Sequence, residues 1–249
     1  MPRSVCIVQA RMSSTRLPGK VLKHLAGKTV LAHVLERCAV TPNLNEVVVA
    51  LPDDPVDDPV VEEARKLGFP IWRGSQLDVL DRYYKTAVAF KADVIQRITS
   101  DCPLTDPEIN GRVLALFDEF VDYASNNWRF EWPHGLDVEV FSFDWLEMAW
   151  REAYLPEHRE HVSPFIREHP DLRQAFLPGP KGQAARWRWT LDTPEDFTLM
   201  QELFARLPTD QTRFSWRAPA AIMEEFPDLG HINRAHNRSD VSRTSHSAG

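Results

Sequence analysis

Cysteine is scarce. The 249-residue chain has three, Cys6, Cys38 and Cys102, with no C-x-x-C spacing. That excludes a disulfide framework, and an odd count without a pairing pattern fits a reducing cytoplasm. An excess of positive charge is also missing. The formal net charge is −7, which argues against wholesale binding of nucleic acid, where affinity comes from neutralising phosphates with Lys and Arg. No apolar run approaches the length that spans a bilayer, so no membrane partner is expected. The first apolar run, residues 5–8, is too short for a signal peptide and leads straight into Arg11. No internal repeat is visible. What remains is a globular chain, 43% hydrophobic, long enough for one large α/β domain or two small ones.

The chain is organised around V-C-I-V-Q-A-R-M-S-S-T-R-L-P-G-K at 5–20. An apolar run bounded by turn chemistry reads as a buried strand. It delivers Arg11, Arg16 and Lys20 into a loop, with Ser13, Ser14, Thr15 and Gly19 between them. Small residues and cations after a strand are how α/β proteins hold phosphates, because backbone N–H groups and cationic side chains converge on the anion. The loop does not fit G-x-x-x-x-G-K-[ST]. Met12 and Ser14 stand where a first glycine belongs, and Val21 follows Lys20. An ordinary P-loop ATPase is therefore disfavoured, and a solvated basic turn stays open as the bland alternative.

Further strands are expected at 46–51, 69–72, 93–99 and 121–125. Helices are expected at 29–39 with Thr29 as cap, at 60–67 ended by Gly68, from Asp78, and at 108–120. Strands alternating with helices make βαβ units and a parallel sheet. Sites in such sheets lie beyond the carboxyl ends of the strands. The loops 11–20 and 100–102 both follow strands, so they should meet on one edge.

The second half is less regular. Residues 133–141 read as a turn and then a strand, with Asp137 and Glu139 on one face and Val138 and Val140 on the other. Residues 143–154 are helical, and 157–168 form a charged segment. The alternation R-W-R-W-T-L within 185–191 suggests a strand with one aromatic face. A helix starts at 192–195, with Thr193 as N-cap and Pro194 first in the helix, and runs to about 207. Residues 236–249 are polar and expected to be disordered. One domain is expected over 1–235, in two halves, 1–127 and 128–235.

Q-A-R-M-S-S-T-R-L-P-G-K at 9–20 and L-A-G-K-T-V-L-A-H-V-L-E-R at 25–37 resemble the N-terminal signature of the cytidylyltransferases that activate sugar acids. The likeness is to the branch named for spore coat polysaccharide biosynthesis. S-D-C-P-L at 100–104 resembles that family's G-D-x-P-L, with Ser100 for the usual glycine. T-L-D-T-P-E-D at 190–196 resembles its V-D-T-P-E-D. The resemblance implies a single Rossmann-like, nucleotide-diphospho-sugar transferase fold, with a mostly parallel mixed sheet flanked by helices.

It also implies roles, with nucleotide binding in the half 1–127 and acceptor binding with dimerisation in the half 128–235. Asp101 and Asp192 would hold Mg²⁺, which takes one or two carboxylates plus substrate phosphates. Without the likeness, Asp101 is equally a turn former and Asp192 a helix-capping acid. Arg11 and Lys20 would bind the triphosphate of CTP, Arg as a bidentate clamp and Lys as a point charge. Arg16 would serve the same phosphates or a protein carboxylate. Gln9, Ala10, Thr99 and Ser100, with Arg73, Ser75, Asp78 and Arg82, complete the nucleotide side. Arg82 is otherwise a helix-surface cation beside Asp78. Asn126, Gly135, Asp137, Glu139, Arg159, Glu160 and His161 resemble acceptor-side elements, and Asn127 would face the same cleft. A homodimer is implied, with 136–141, Trp128, Phe130 and Trp132 either packing across it or covering the core.

The expected activity is transfer of CMP from CTP to a sugar acid or a related acidic or phosphorylated acceptor, with release of pyrophosphate. A glycosyltransferase using a nucleotide-sugar is the alternative on the same fold. A binding module that kept the fold is the third reading.

Overall fold

The computed structural model describes residues 2–236. The expected tail at 236–249 lies, except for His236, outside them. The strands are β1 (Ser4–Gln9), β2 (His24–Leu25), β3 (Lys28–Thr29), β4 (Glu46–Pro52), β5 (Ile71–Gly74), β6 (Val94–Thr99), β7 (Tyr123–Ser125), β8 (Glu139–Ser142) and β9 (Gln174–Phe176). The α-helices are α1 (Val30–Ala39), α2 (Asp58–Lys66), α3 (Val79–Ala89), α4 (Pro107–Ala115), α5 (Phe143–Glu152), α6 (Pro156–His161), α7 (Pro164–Arg167), α8 (Pro194–Phe204) and α9 (Arg217–Glu225).

Strands from both halves of the chain share one seven-stranded sheet, ordered β5-β4-β1-β6-β8-β7-β9, while β2 and β3 form a separate hairpin. β8 runs antiparallel to both its neighbours, and the other pairings in the sheet are parallel. The central strands are apolar on both faces because both are covered. Cys6 and Val8 of β1 and Val47, Val49 and Leu51 of β4 pack on the side of α1, α2, α4, α8 and α9. Val5, Ile7, Val48 and Ala50 face α3, α5 and α7 on the other side.

Local chemistry places the helix starts. Thr29 Oγ1 accepts the Ala32 N–H at 3.1 Å, and Asp78 Oδ1 accepts that of Asp81 at 2.9 Å. Thr193 and Asp196 bond reciprocally in a capping box at α8. The expected helix at 108–120 stops at Ala115, and the expected strand at 121–125 is paired only over Tyr123–Ser125.

The stretch 185–191 is not a strand. It begins as a 3₁₀ turn, Ala184–Arg186, and then makes a single bridge, His134 with Arg188. Its alternation fails to sort in from out because Arg188 is buried as well as Trp187 and Trp189. Trp187 and Trp189 stack with ring centroids 5.5 Å apart, while Arg188, only 6% exposed, is sunk into an acid cluster on the other side.

Candidate active site

β1 and β6 lie side by side with Gln9 opposite Thr99 at their carboxyl ends. β4 and β5 extend the sheet one way from β1 and β6 extends it the other, so this is the switch point at which α/β sheets open a crevice. The loop after β1 and the loop after β6 frame a cleft of about 540 Å³, within the roughly 300–1,000 Å³ of small-molecule sites.

A third segment closes it. His134 donates its N–H to the Trp187 carbonyl at 3.0 Å, Trp189 donates to His134 at 2.6 Å, and Leu191 donates to Asp101 at 2.8 Å. Gly135 lets these segments touch. Its φ is +110°, and a Cβ there would lie 2.6 Å from the Trp189 carbonyl carbon and oxygen. The residue expected on the acceptor side is instead a backbone contact.

Lys20 Nζ sits 2.7 Å from Asp101 Oδ2 and 2.8 Å from Asp192 Oδ1. Burial alone would weaken its proton, but the two acids outweigh it and raise the ammonium above its ordinary value. For Asp192, burial opposes the charge, and Lys20 and Arg188 overcome it and hold the carboxyl below the usual range. Arg188 Nη2 reaches Asp192 Oδ2 at 2.7 Å, and Nε reaches the fully buried Asp196 at 2.9 Å. Asn233 Nδ2 buttresses Asp196 at 2.8 Å. Arg16 adds a longer contact to Asp192 at 3.5 Å.

Asp101 and Asp192, which share the Lys20 ammonium, are hard oxygen donors that could take a divalent cation together with phosphate and water. Among the described residues no group of three or more His, Cys, Asp or Glu could hold a metal unaided.

The loop itself is prepared for an anion. The amides of Met12, Leu17, Gly19 and Lys20 are bonded within the protein. Among the described residues those of Arg11, Ser13, Ser14, Thr15 and Arg16 make no internal hydrogen bond. Successive free N–H groups with cations beside them make an anion-binding concavity. Arg82 faces the same cleft. It is 2% exposed and donates to the Ser75 carbonyl. Its Nε has no partner. Burial lowers the hold on its proton, and the like charge of Arg11 adds to this. It is a buried cation with Arg11 as neighbour, not the surface residue its helix position allows.

Of the nucleotide-side residues read from the sequence, Gln9, Ala10, Arg11, Arg16, Lys20 and Arg82 line the cleft, as do Thr99, Ser100, Asp101 and Asp192. From the acceptor side, Asp137, Glu160 and His161 line it, with Asn127.

The structure does not bring the others there. Arg73 is spent on Asp58 at 2.7 Å and on the Asp54 carbonyl. Ser75 accepts from the Asp78 N–H, and Asp78 caps α3 and holds Arg159 Nε at 3.0 Å. Asn126 bridges the Leu136 carbonyl and the Val138 N–H. Glu139 is 2% exposed. It pairs with Arg97 at 2.5 Å and accepts from Tyr123 and Ser163, both at 2.6 Å. These side chains build the walls rather than face the substrate space.

Sequence reading missed His134, Arg97 and Thr190, which also line the cleft, and Arg188. Only Arg188 carried a signal: a cation four residues ahead of a candidate metal acid.

Known proteins bear on this site. An uncharacterized protein of Methanocaldococcus jannaschii is 40% identical over 235 residues, 91% of this chain and 93% of that one. The spore coat polysaccharide biosynthesis protein SpsF of Bacillus subtilis is 36% identical over 208 residues, 80% of this chain and 85% of that one. A solved structure of a cytidylyltransferase from Leptospira borgpetersenii superposes with a TM-score of 0.87 at 29% identity, covering 92% of this chain and 97% of that one. The cytidylyltransferase family matches residues 5–223, a span that takes in the cation loop and both acids, and the chain belongs to that family.

Proposed function

We propose that the protein transfers CMP from CTP to a sugar acid or a related acidic or phosphorylated acceptor, with Mg²⁺ and with release of pyrophosphate, in the making of a surface glycan. The observation that carries this reading is Lys20 between Asp101 and Asp192, at the foot of a loop with free amides. A triphosphate-binding cation cluster is useful to an enzyme that expels pyrophosphate. It has less purpose in one that receives a diphosphate already joined to sugar.

Transfer of this kind is mostly positioning and charge stabilisation. Arg11, Lys20 and the loop amides hold the β- and γ-phosphates and offset the charge that grows on the leaving pyrophosphate. Arg82 adds buried positive charge beside Arg11. Asp101 and Asp192 would hold Mg²⁺, which would supply Lewis-acid polarisation of the α-phosphate. Arg188, itself fixed by Asp196, keeps Asp192 ionised and aimed into the cleft. Asp137, Glu160 and His161 face the space left for the acceptor, whose oxygen attacks the α-phosphorus as the bond to the β-phosphate oxygen breaks. SpsF is named for polysaccharide biosynthesis, which supports a glycan precursor as acceptor. The protein acts as a homodimer on this reading.

The test is pyrophosphate release from CTP across a panel of sugar acids and phosphosugars. Release that requires CTP, a divalent cation and one acceptor class supports the proposal. Turnover of a nucleotide-sugar without pyrophosphate would transfer the assignment to a glycosyltransferase.

A further inference from the structure

Asp57 ends the 3₁₀ turn Pro55–Asp57 and stands at the N-cap of α2. Aspartate is favoured there because its carboxylate accepts the free N–H groups of the first helical turn. This one makes no such bond. Its side chain is fully buried and turned the other way, so that Oδ1 accepts the backbone N–H of Met12 at 2.6 Å. Oδ2 is buried with no hydrogen-bond partner. Burial raises the carboxyl above its usual range. The Met12 bond opposes that, Asp54 adds to it, and Arg73 and Arg82 oppose it.

A buried carboxylate with one oxygen unpartnered costs stability relative to a fully hydrogen-bonded group. Neither capping nor packing therefore accounts for Asp57. Its bond fixes the peptide between Arg11 and Met12. Met12 is also a node of the loop, since its carbonyl accepts the Gly19 N–H at 3.3 Å, one residue before Lys20. Holding Met12 thus holds both ends of the cation loop.

We propose that Asp57 is a positioning residue: from the loop after β4 it pins Met12 and so sets Arg11 and Lys20 against the polyphosphate of the nucleotide. This rests on the triphosphate reading given above. The test is calorimetric titration with CTP and with CMP, each with Mg²⁺, together with thermal unfolding. It uses the full chain and its Asp57→Leu, Asp57→Ser and Asp57→Asn variants.

Asp57→Leu removes the acceptor and, whatever its added volume costs in Tm, should weaken CTP binding by about tenfold or more. CMP, which lacks the outer phosphates, should lose less. Asp57→Ser, too short to reach Met12, should show the same split. Asp57→Asn keeps an oxygen in place and should stay within about threefold of the parent.

A folded Asp57→Leu protein with parental CTP affinity overturns the proposal. So does an equal loss for CTP and CMP, or failure of both Asp57→Leu and Asp57→Ser to fold, which makes Asp57 structural. If the parent chain binds no CTP, the functional reading itself has failed and the proposal falls with it. Parental binding that the variants leave unchanged removes Asp57 alone.

Discussion

Leu191 donates its backbone N–H to the carbonyl of Asp101 at 2.8 Å, and this bond sets two acids from opposite halves of the chain on one ammonium. Neither acid is required for the fold to close, because each lies at the cleft rather than in the core. Asp101→Asn should therefore cut CTP-dependent pyrophosphate release by about 10²-fold or more and leave thermal unfolding nearly unchanged. Steady-state rates at saturating Mg²⁺ check this, and near-parental turnover would remove Asp101 from the metal site.

Lys20 Nζ lies between the two acids. A divalent cation alone must compete with that ammonium. Lys20→Met should bind Mg²⁺ more tightly than the parent in the absence of CTP, by about tenfold on the worth of a charge-assisted contact. It should bind CTP more weakly. Titration of Mg²⁺ without nucleotide gives the answer, and equal Mg²⁺ affinity would separate Lys20 from the cation's seat.

Gly135 allows the turn 133–135 to lie against the Trp189 backbone. Asp192 follows in the same segment. Gly135→Ala adds a Cβ at positive φ where backbone atoms already sit, and should cost about 2–4 kcal/mol. Calorimetric unfolding should show Tm lower by roughly 5–10 °C, with weaker CTP binding.

Glu139 and Arg97 pair inside the sheet, opposite each other in register. Burial would raise Glu139, but Arg97 first, then Ser163 and Tyr123, hold it below the usual carboxylate range. Its stabilisation is therefore full above the unfolded value of about 4.3 and is lost as pH falls through the depressed folded value. Glu139→Gln leaves a buried guanidinium unpaired and should cost about 3–5 kcal/mol at pH 7. Urea unfolding between pH 7 and pH 3 should show the variant losing less on acidification than the parent. A parallel pair of curves would contradict the assignment.

The legible parts of this chain were local. The apolar run before Gln9, the cap at Thr29 and the box at Thr193 follow from neighbouring residues, and so does the loop between Arg11 and Lys20. The family motifs add Asp101 and Asp192.

What the sequence hid depends on which strands become neighbours. Glu139 alternates with apolar residues and reads as solvent-facing, until β6 supplies Arg97 beside it. Arg188 and Trp189 alternate like a strand, yet one is neutralised by Asp192 and Asp196 and the other is buried with its backbone against Gly135. Arg73 reads as a nucleotide-side residue only while Asp58, fifteen residues earlier in the chain, is not known to face it. Asp57 lies in an acidic, Pro-containing stretch where nothing local reveals Met12.

The most direct test of the account is calorimetric titration with CTP, UTP, GTP and ATP in turn, with and without Mg²⁺. The account predicts preferential, Mg²⁺-dependent binding of CTP, lost in Arg11→Ala. Binding of a nucleotide-sugar or nucleoside diphosphate but of no triphosphate would contradict it and leave the loop at Arg11 and Lys20 without its stated purpose.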